Sequence, residues 1–132
     1  MIVRLFALVA LSLSVPAIAQ SVPAPHYVFF DWGKNELSRD AMGELDLVAV
    51  EYAAKGGGKV VLAAYTDRSG DARANRVISQ KRGELVKAYL AGKGVPAGAI
   101  RVQAYGEDHP FITTDDGVRE VQNRRVDLWV VN

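Results

Sequence analysis

The chain alternates short blocks of β-branched and aromatic residues with two long stretches of helical periodicity. His26-Tyr-Val-Phe-Phe30 reads as a first strand. Ser38 can cap the helix that follows, where Ala41, Leu45, Val48 and Tyr52 recur on one helical face. Gly56-Gly-Gly58 ends that helix. Lys59–Thr66 is apolar on both faces, with Val60, Leu62 and Ala64 against Val61, Ala63 and Tyr65, as expected of a central strand. Asp67-Arg-Ser-Gly70 is a turn. A second helix is predicted from about Ala72 to Ala91, with Ile78, Leu85, Val86 and Tyr89 as its core stripe. Gly92 and Gly94 end it, and Pro96 prevents it from resuming. Ile100–Tyr105 is a third strand and Gly106–Gln122 is mostly loop. Arg124–Val131 alternates, with Val126, Leu128 and Val130 on one side and Arg125, Asp127 and Trp129 on the other, the pattern of a half-exposed strand.

The order β-α-β-α-β-β predicts an α+β fold. Strand–helix–strand units make parallel neighbours with right-handed crossovers. The last two strands are expected to pair as a hairpin with a long loop. The product is a mixed sheet with two main helices packed on one face.

The N-terminus lies outside this pattern. Arg4 precedes an apolar run from Leu5 to Val15, and Pro16-Ala-Ile-Ala19 follows. A positive charge, a short apolar stretch and a small-x-small end are the marks of a cleaved signal peptide over residues 1–19. Residues 20–25 are a short lead-in, and 26–132 form one domain. The 132 residues contain no cysteine. A disulfide scaffold, a Cys-ligated metal site and a lipid-bearing cysteine are therefore excluded. Sixteen Lys and Arg against fifteen Asp and Glu give a balanced charge, which argues against broad binding to nucleic acid.

Candidate chemistry gathers where the second strand meets the second helix. Asp67 sits at that junction, and Asn75 and Arg82, seven residues apart, share a helix face. A carboxylate and a guanidinium flanking one shallow groove would suit a zwitterion, with Asp67 taking an ammonium and Arg82 gripping a carboxylate. The alternative is structural: Asp67 stabilises the helix start, and Arg82 is a solvated residue or its partner.

The spaced motifs Val28-Phe-Phe-Asp31, Tyr65-Thr-Asp-Arg-Ser-Gly70, Asn75, Ser79 and Arg82, Gly94-Val95, Tyr105-Gly-Glu107, Pro110 and Asn123-Arg-Arg-Val126 run in order from Tyr27 to Val131. In this the chain resembles the OmpA-like C-terminal domain family, the peptidoglycan-binding module of Gram-negative envelope proteins. The resemblance implies non-covalent binding of the peptide stem of peptidoglycan through its diaminopimelate residue. By position, Asp67 would accept the diaminopimelate ammonium and Arg82 would bind its carboxylate. Asn75 matches a residue that hydrogen-bonds the ligand, Asp31 and Arg124 match positions lining the groove, and Thr66 and Tyr65 flank it. No cofactor is implied. The expected location is the periplasm, on the cell wall and near the outer membrane, with other envelope proteins as further partners.

The chain departs from the family in three places. Gly83 replaces the usual alanine, at a cost of up to about 1 kcal/mol of helix stability, which implies a looser turn. The stretch Gly117–Gln122 is more polar than usual. Nothing but the signal peptide is expected before the domain, whereas larger members add a membrane barrel, a lipid-bearing cysteine or a transmembrane helix. Without such an anchor the chain would decorate the wall or bridge it to a partner.

Two other function classes compare less well with the sequence. An enzyme lacks support: His26 and His109 are isolated, Glu107 and Asp108 are adjacent and point apart, and no nucleophile elbow or metal helix occurs. Thr114-Asp-Asp-Gly117 supplies too few oxygen ligands for calcium. The stronger alternative is a periplasmic protein-interaction or scaffold module that has kept the fold without the ligand, with Trp32 and Trp129 marking its surface.

Overall fold

The computed structural model describes residues 23–132. The signal peptide expected over 1–19, and the first half of the lead-in at 20–25, lie outside the described residues. The elements are β1 (His26–Phe29), α1 (Arg39–Ala54), β2 (Lys59–Tyr65), α2 (Ala72–Gly92), β3 (Ile100–Gly106) and β4 (Arg125–Val131), with single 3-10 turns at Ala97–Ala99 and Val121–Asn123. The predicted α+β class holds, with a mixed four-stranded sheet and two helices.

Both helices start at side-chain caps. The Ser38 hydroxyl accepts the Ala41 N–H at 3.1 Å, and the Asp71 carboxylate accepts that of Ala74 at 3.0 Å. The core is the layer between helices and sheet. Leu45 and Val48 from α1, and Val86 and Leu90 from α2, meet Val28, Val60, Leu62, Val126, Leu128 and Val130 there.

The strand order is β1-β4-β2-β3. β2 and β3 are parallel neighbours, as the α2 crossover requires. The expected hairpin between the last two strands does not form. Instead β4 lies antiparallel between β1 and β2, which run in the same direction but do not touch. The loop after β3 is long enough to carry the chain across the sheet. Insertion gives β4 two hydrogen-bonded ladders, where an edge position would give one.

That placement also changes the expected half-exposed strand. Arg125 and Asp127 are buried, because β4 is central and the loop after β3 folds over this face. The Arg125 guanidinium stacks 4.0 Å from the Tyr65 ring centroid and 5.3 Å from that of Phe111. Arg125 Nε lies 2.9 Å from Asp127 Oδ1, close enough for ion pairing but without hydrogen-bond alignment. Burial outweighs this neighbour and raises the Asp127 pKa.

The buried stripe of α2 is Asn75, Ser79, Arg82, Gly83, Val86 and Leu90. Of the stripe expected from periodicity only Val86 is fully buried; Ile78, Leu85 and Tyr89 flank it. The stripe is apolar at its C-terminal end and polar at its N-terminal end.

Gly83 sits where α2 comes closest to the sheet. A Cβ there would lie 2.6 Å from Val102 Cγ1 and 3.5 Å from Ala64 Cβ. The turn is tight, not loose as the sequence implied. Gly83→Ala should therefore lower stability by about 1 kcal/mol, the clash with a stiff β-branched neighbour exceeding the gain in helix propensity. Urea unfolding in a double-mutant cycle checks this: Val102→Ala should cost less in the Gly83→Ala background than alone.

His26 ties β1 to α1, with Nδ1 2.5 Å from Glu44 and Nε2 2.7 Å from Glu51. Burial disfavours the imidazolium, but bonds to Glu51 and Glu44 outweigh it and the His26 pKa is raised. The contribution to stability is then complete below the ordinary histidine value of about 6.5 and is lost as pH rises through the raised one. His26→Gln should destabilise the protein more at pH 6 than at pH 9 in urea titrations.

Candidate functional site

The polar end of the α2 stripe opens into a groove of about 430 Å³. Its walls are the end of β2, the start of α2, the loop after β1 and the segment leading into β4. The residues at its base are Thr66, Asp67, Asn75, Arg82 and Arg124, all buried. Folding thus brings together five of the six ligand-binding residues expected from the sequence.

Asp67 is only 3 % exposed, and its carboxylate already accepts four hydrogen bonds. Oδ1 takes the Ser69 N–H at 3.1 Å and the Ser69 hydroxyl at 2.5 Å. Oδ2 takes the Glu120 N–H at 3.1 Å and Arg124 Nη1 at 2.9 Å. A carboxylate offers about four lone-pair sites, so an incoming ammonium must share or displace one of these donors. Burial alone would raise the Asp67 pKa, but the bonds from Ser69, Arg124 and the Glu120 amide prevail and lower it.

The two arginines are held through part of their forks. Arg124 Nε donates to the Phe30 carbonyl at 2.9 Å. Arg82 Nε donates to Asn35 Oδ1 at 3.2 Å and Nη2 to the Lys34 carbonyl at 3.0 Å, with the guanidinium 5.0 Å over the Phe30 ring. No hydrogen bond among the described residues uses Arg82 Nη1 or Arg124 Nη2. Burial and then the neighbouring Arg124 push the Arg82 pKa down to about 10, so the group stays charged at neutral pH. Thr66 Oγ1 is buried without a partner. Two guanidiniums with spare donors, an unpaired hydroxyl and one saturated carboxylate make the base of the groove net positive. Such an arrangement of donors can accept a carboxylate.

Asn75 is an anchor as well as a wall. Its amide group reaches the carbonyls of Asp67 (3.3 Å) and Ser69 (2.9 Å) and the Glu107 carboxylate (3.0 Å). Asp31 does not join the others. Alternation along the chain sends Phe30 into the core and Asp31 to the opposite, exposed side, where it lines a separate groove along β1.

Four further groups line or brace the groove. Ser69 was legible, since Asp-x-Ser at a strand end is an Asx-turn pattern. Asn35, Arg119 and the Glu120 amide gave no signal, because only tertiary packing brings their loops here. The Arg119 guanidinium lies 3.4 Å from the Trp32 ring centroid at the rim, and Trp32 Nε1 donates to the Ser69 hydroxyl at 3.2 Å.

Asp67→Ala should cost roughly 3 kcal/mol of stability, because Arg124 is left buried without its partner. Guanidinium titration monitored by tryptophan fluorescence measures the loss. In the intact protein the lowered Asp67 pKa supplies stability above about pH 4 that fades as acid protonates the group, whereas Asp67→Ala should lack this acid-dependent component.

The OmpA family profile matches residues 29–124. The peptidoglycan-associated lipoprotein of Pseudomonas putida is 34 % identical over 100 residues, covering 76 % of this chain and 60 % of that protein. Outer membrane protein A of Shimwellia blattae is 35 % identical over 115 residues, covering 78 % of this chain and 47 % of its own length. An outer membrane protein of Gluconacetobacter diazotrophicus is 35 % identical over 116 residues but is matched over only 30 % of its length. The chain thus spans between about a third and two thirds of these relatives. Among solved structures, the peptidoglycan-associated lipoprotein from Burkholderia pseudomallei superposes with a TM-score of 0.71 at 25 % identity, covering 78 % of this chain and 87 % of the other. The C-terminal domain of Helicobacter pylori MotB shares the fold at a TM-score of 0.68 and 18 % identity, covering 83 % and 84 % of the two chains. With a family match spanning most of the described residues and a common fold, the chain belongs to the OmpA family.

Proposed function

We propose that this chain is a non-catalytic module of the cell envelope that binds peptidoglycan through the diaminopimelate residue of the peptide stem. The observation that carries the reading is the net-positive base of the groove, where Arg82, Arg124 and the unpartnered Thr66 hydroxyl offer donors to a carboxylate. Relatives named for their association with peptidoglycan support the same direction. In this reading Arg82 and Arg124 take the side-chain carboxylate of diaminopimelate and Thr66 adds a hydroxyl donor. Asp67 receives the ammonium by sharing the oxygen now held by Ser69. Asn75 fixes the turn that presents Asp67. The expected place of action is the periplasm after export.

Neither histidine supports a catalytic reading. His26 is bound to α1 glutamates, and His109 packs edge-on against Tyr105, 5.7 Å between ring centroids. A binding site for a polymer with many repeats does not need high affinity, and a few charge-assisted hydrogen bonds at about 1.5–3 kcal/mol each, reduced by association costs, suffice.

Co-sedimentation of residues 20–132 with purified sacculi tests the reading, beside Arg82→Ala and Arg82→Lys, with circular dichroism confirming that each is folded. Wild type should sediment and Arg82→Ala should not. Arg82→Lys should bind roughly tenfold more weakly, since an ammonium cannot reproduce the planar fork. Stem peptides with lysine in place of diaminopimelate should also bind less well, having lost the second carboxylate. Sedimentation indifferent to Arg82, or none from folded wild type, would favour the scaffold alternative, in which the fold persists without the ligand.

A further inference from the structure

The outer side of β1 carries a second groove, about 460 Å³ in volume, apart from the one holding Arg82. Asp31, Glu36, Asp40 and Glu44 line it, and no lysine or arginine does. His26 answers Glu44 at 2.5 Å, and Lys34 lies 3.8 Å from Glu36. Among the described residues no cation pairs with Asp31 or Asp40.

The floor of this groove is a strand edge. β1 is the first strand in the order β1-β4-β2-β3, so among the described residues its outer side has no neighbouring strand. The Phe30 N–H bonds the Arg124 carbonyl at 2.9 Å, which sets the phase of the antiparallel ladder. By that alternation His26, Val28 and Phe30 direct their backbone groups to β4, and the N–H and C=O of Tyr27 and Phe29 point outward. These two residues are 38 % and 42 % exposed. Four free backbone groups in strand register, beside exposed aromatic rings, form a template for one more strand.

We propose that this edge docks an extended, lysine- or arginine-rich segment of another protein, which adds as an outer strand beside β1 and pairs its cations with Asp31, Glu36 and Asp40. The backbone groups call for an extended chain, and the carboxylates set its charge. A second copy of this chain is a poor occupant, because symmetric β1–β1 pairing would set one acidic wall against another. The site is independent of what the Arg82 groove binds. The competing role for the acids is to keep the edge unpaired altogether.

The probe is a capped hexapeptide alternating lysine and valine, titrated into the full protein at low salt and followed by amide chemical shifts. Saturable shifts should centre on Tyr27 and Phe29, with slowed hydrogen exchange at those two amides. The matching glutamate–valine peptide, and the lysine peptide N-methylated at every residue, should each bind at least about tenfold more weakly. Asp40→Lys, a change at an exposed position, should weaken the lysine peptide and leave the glutamate peptide equal or better. No binding up to millimolar peptide would overturn the proposal and leave the acids as edge guards. Equal binding of the two charge types, insensitivity to N-methylation, or shifts centred on Arg82 would overturn it as well.

Discussion

The Asp67 carboxylate joins two stretches of the chain that are distant in sequence, the turn before α2 and the segment leading into β4. Asp67 and Ser69 belong to the turn between β2 and α2, Glu120 lies in the last loop, and Arg124 precedes β4. Arg124 extends the link by donating to the Phe30 carbonyl at the end of β1. One buried pair thus fixes the point at which β4 enters between β1 and β2. A buried ion pair is weak evidence for net stability, since desolvation offsets much of its Coulomb energy. It discriminates between arrangements instead, because any other placement of β4 would leave a charge buried and unpaired.

The groove follows from how α2 divides its buried face. At Val86 and Leu90 the face packs on the apolar core, and at Asn75, Ser79 and Arg82 it packs on loops and backbone carbonyls. Polar residues buried in a helix face must find partners, and here the partners are the loop ends at the top of the sheet. The Asn75 amide nitrogen and the Ser79 hydroxyl are satisfied: Ser79 accepts the Gly106 N–H at 2.9 Å and donates to the Arg76 carbonyl. Arg82, Arg124 and Thr66 are satisfied only in part. That imbalance leaves hydrogen-bond donors free at the base of the groove.

The same topology sets both grooves. Insertion of β4 makes β1 an outer strand, and the alternation that aims Phe30 at the core aims Asp31 away from it. The sheet face opposite the helices is closed over Arg125 by Tyr65 and Phe111. Tyr27 and Phe29 at the rim remain exposed.

Much of the fold was legible in the sequence. Periodicity located both helices and all four strands, Ser38 marked the start of α1, and the apolar faces of β2 and β4 identified the core. The motif Tyr65–Gly70 with Asn75 and Arg82 marked residues that the fold gathers in one groove, because strand end, turn and helix start are contiguous in sequence. What the sequence did not reveal depends on contacts between distant segments. The position of β4 is set by Arg124 reaching Asp67 and Phe30. The burial of Arg125 and Asp127 comes from a loop folding back. The need for Gly83 comes from Val102 on a different strand. The saturation of Asp67 arises only once the Glu120 amide and Arg124 arrive beside it. Local patterning determines which segments are helix and strand, since those preferences are carried by the residues within each segment. Strand order and the charge state of the groove belong to the tertiary structure, since a buried charge is tolerable only where folding supplies its partner.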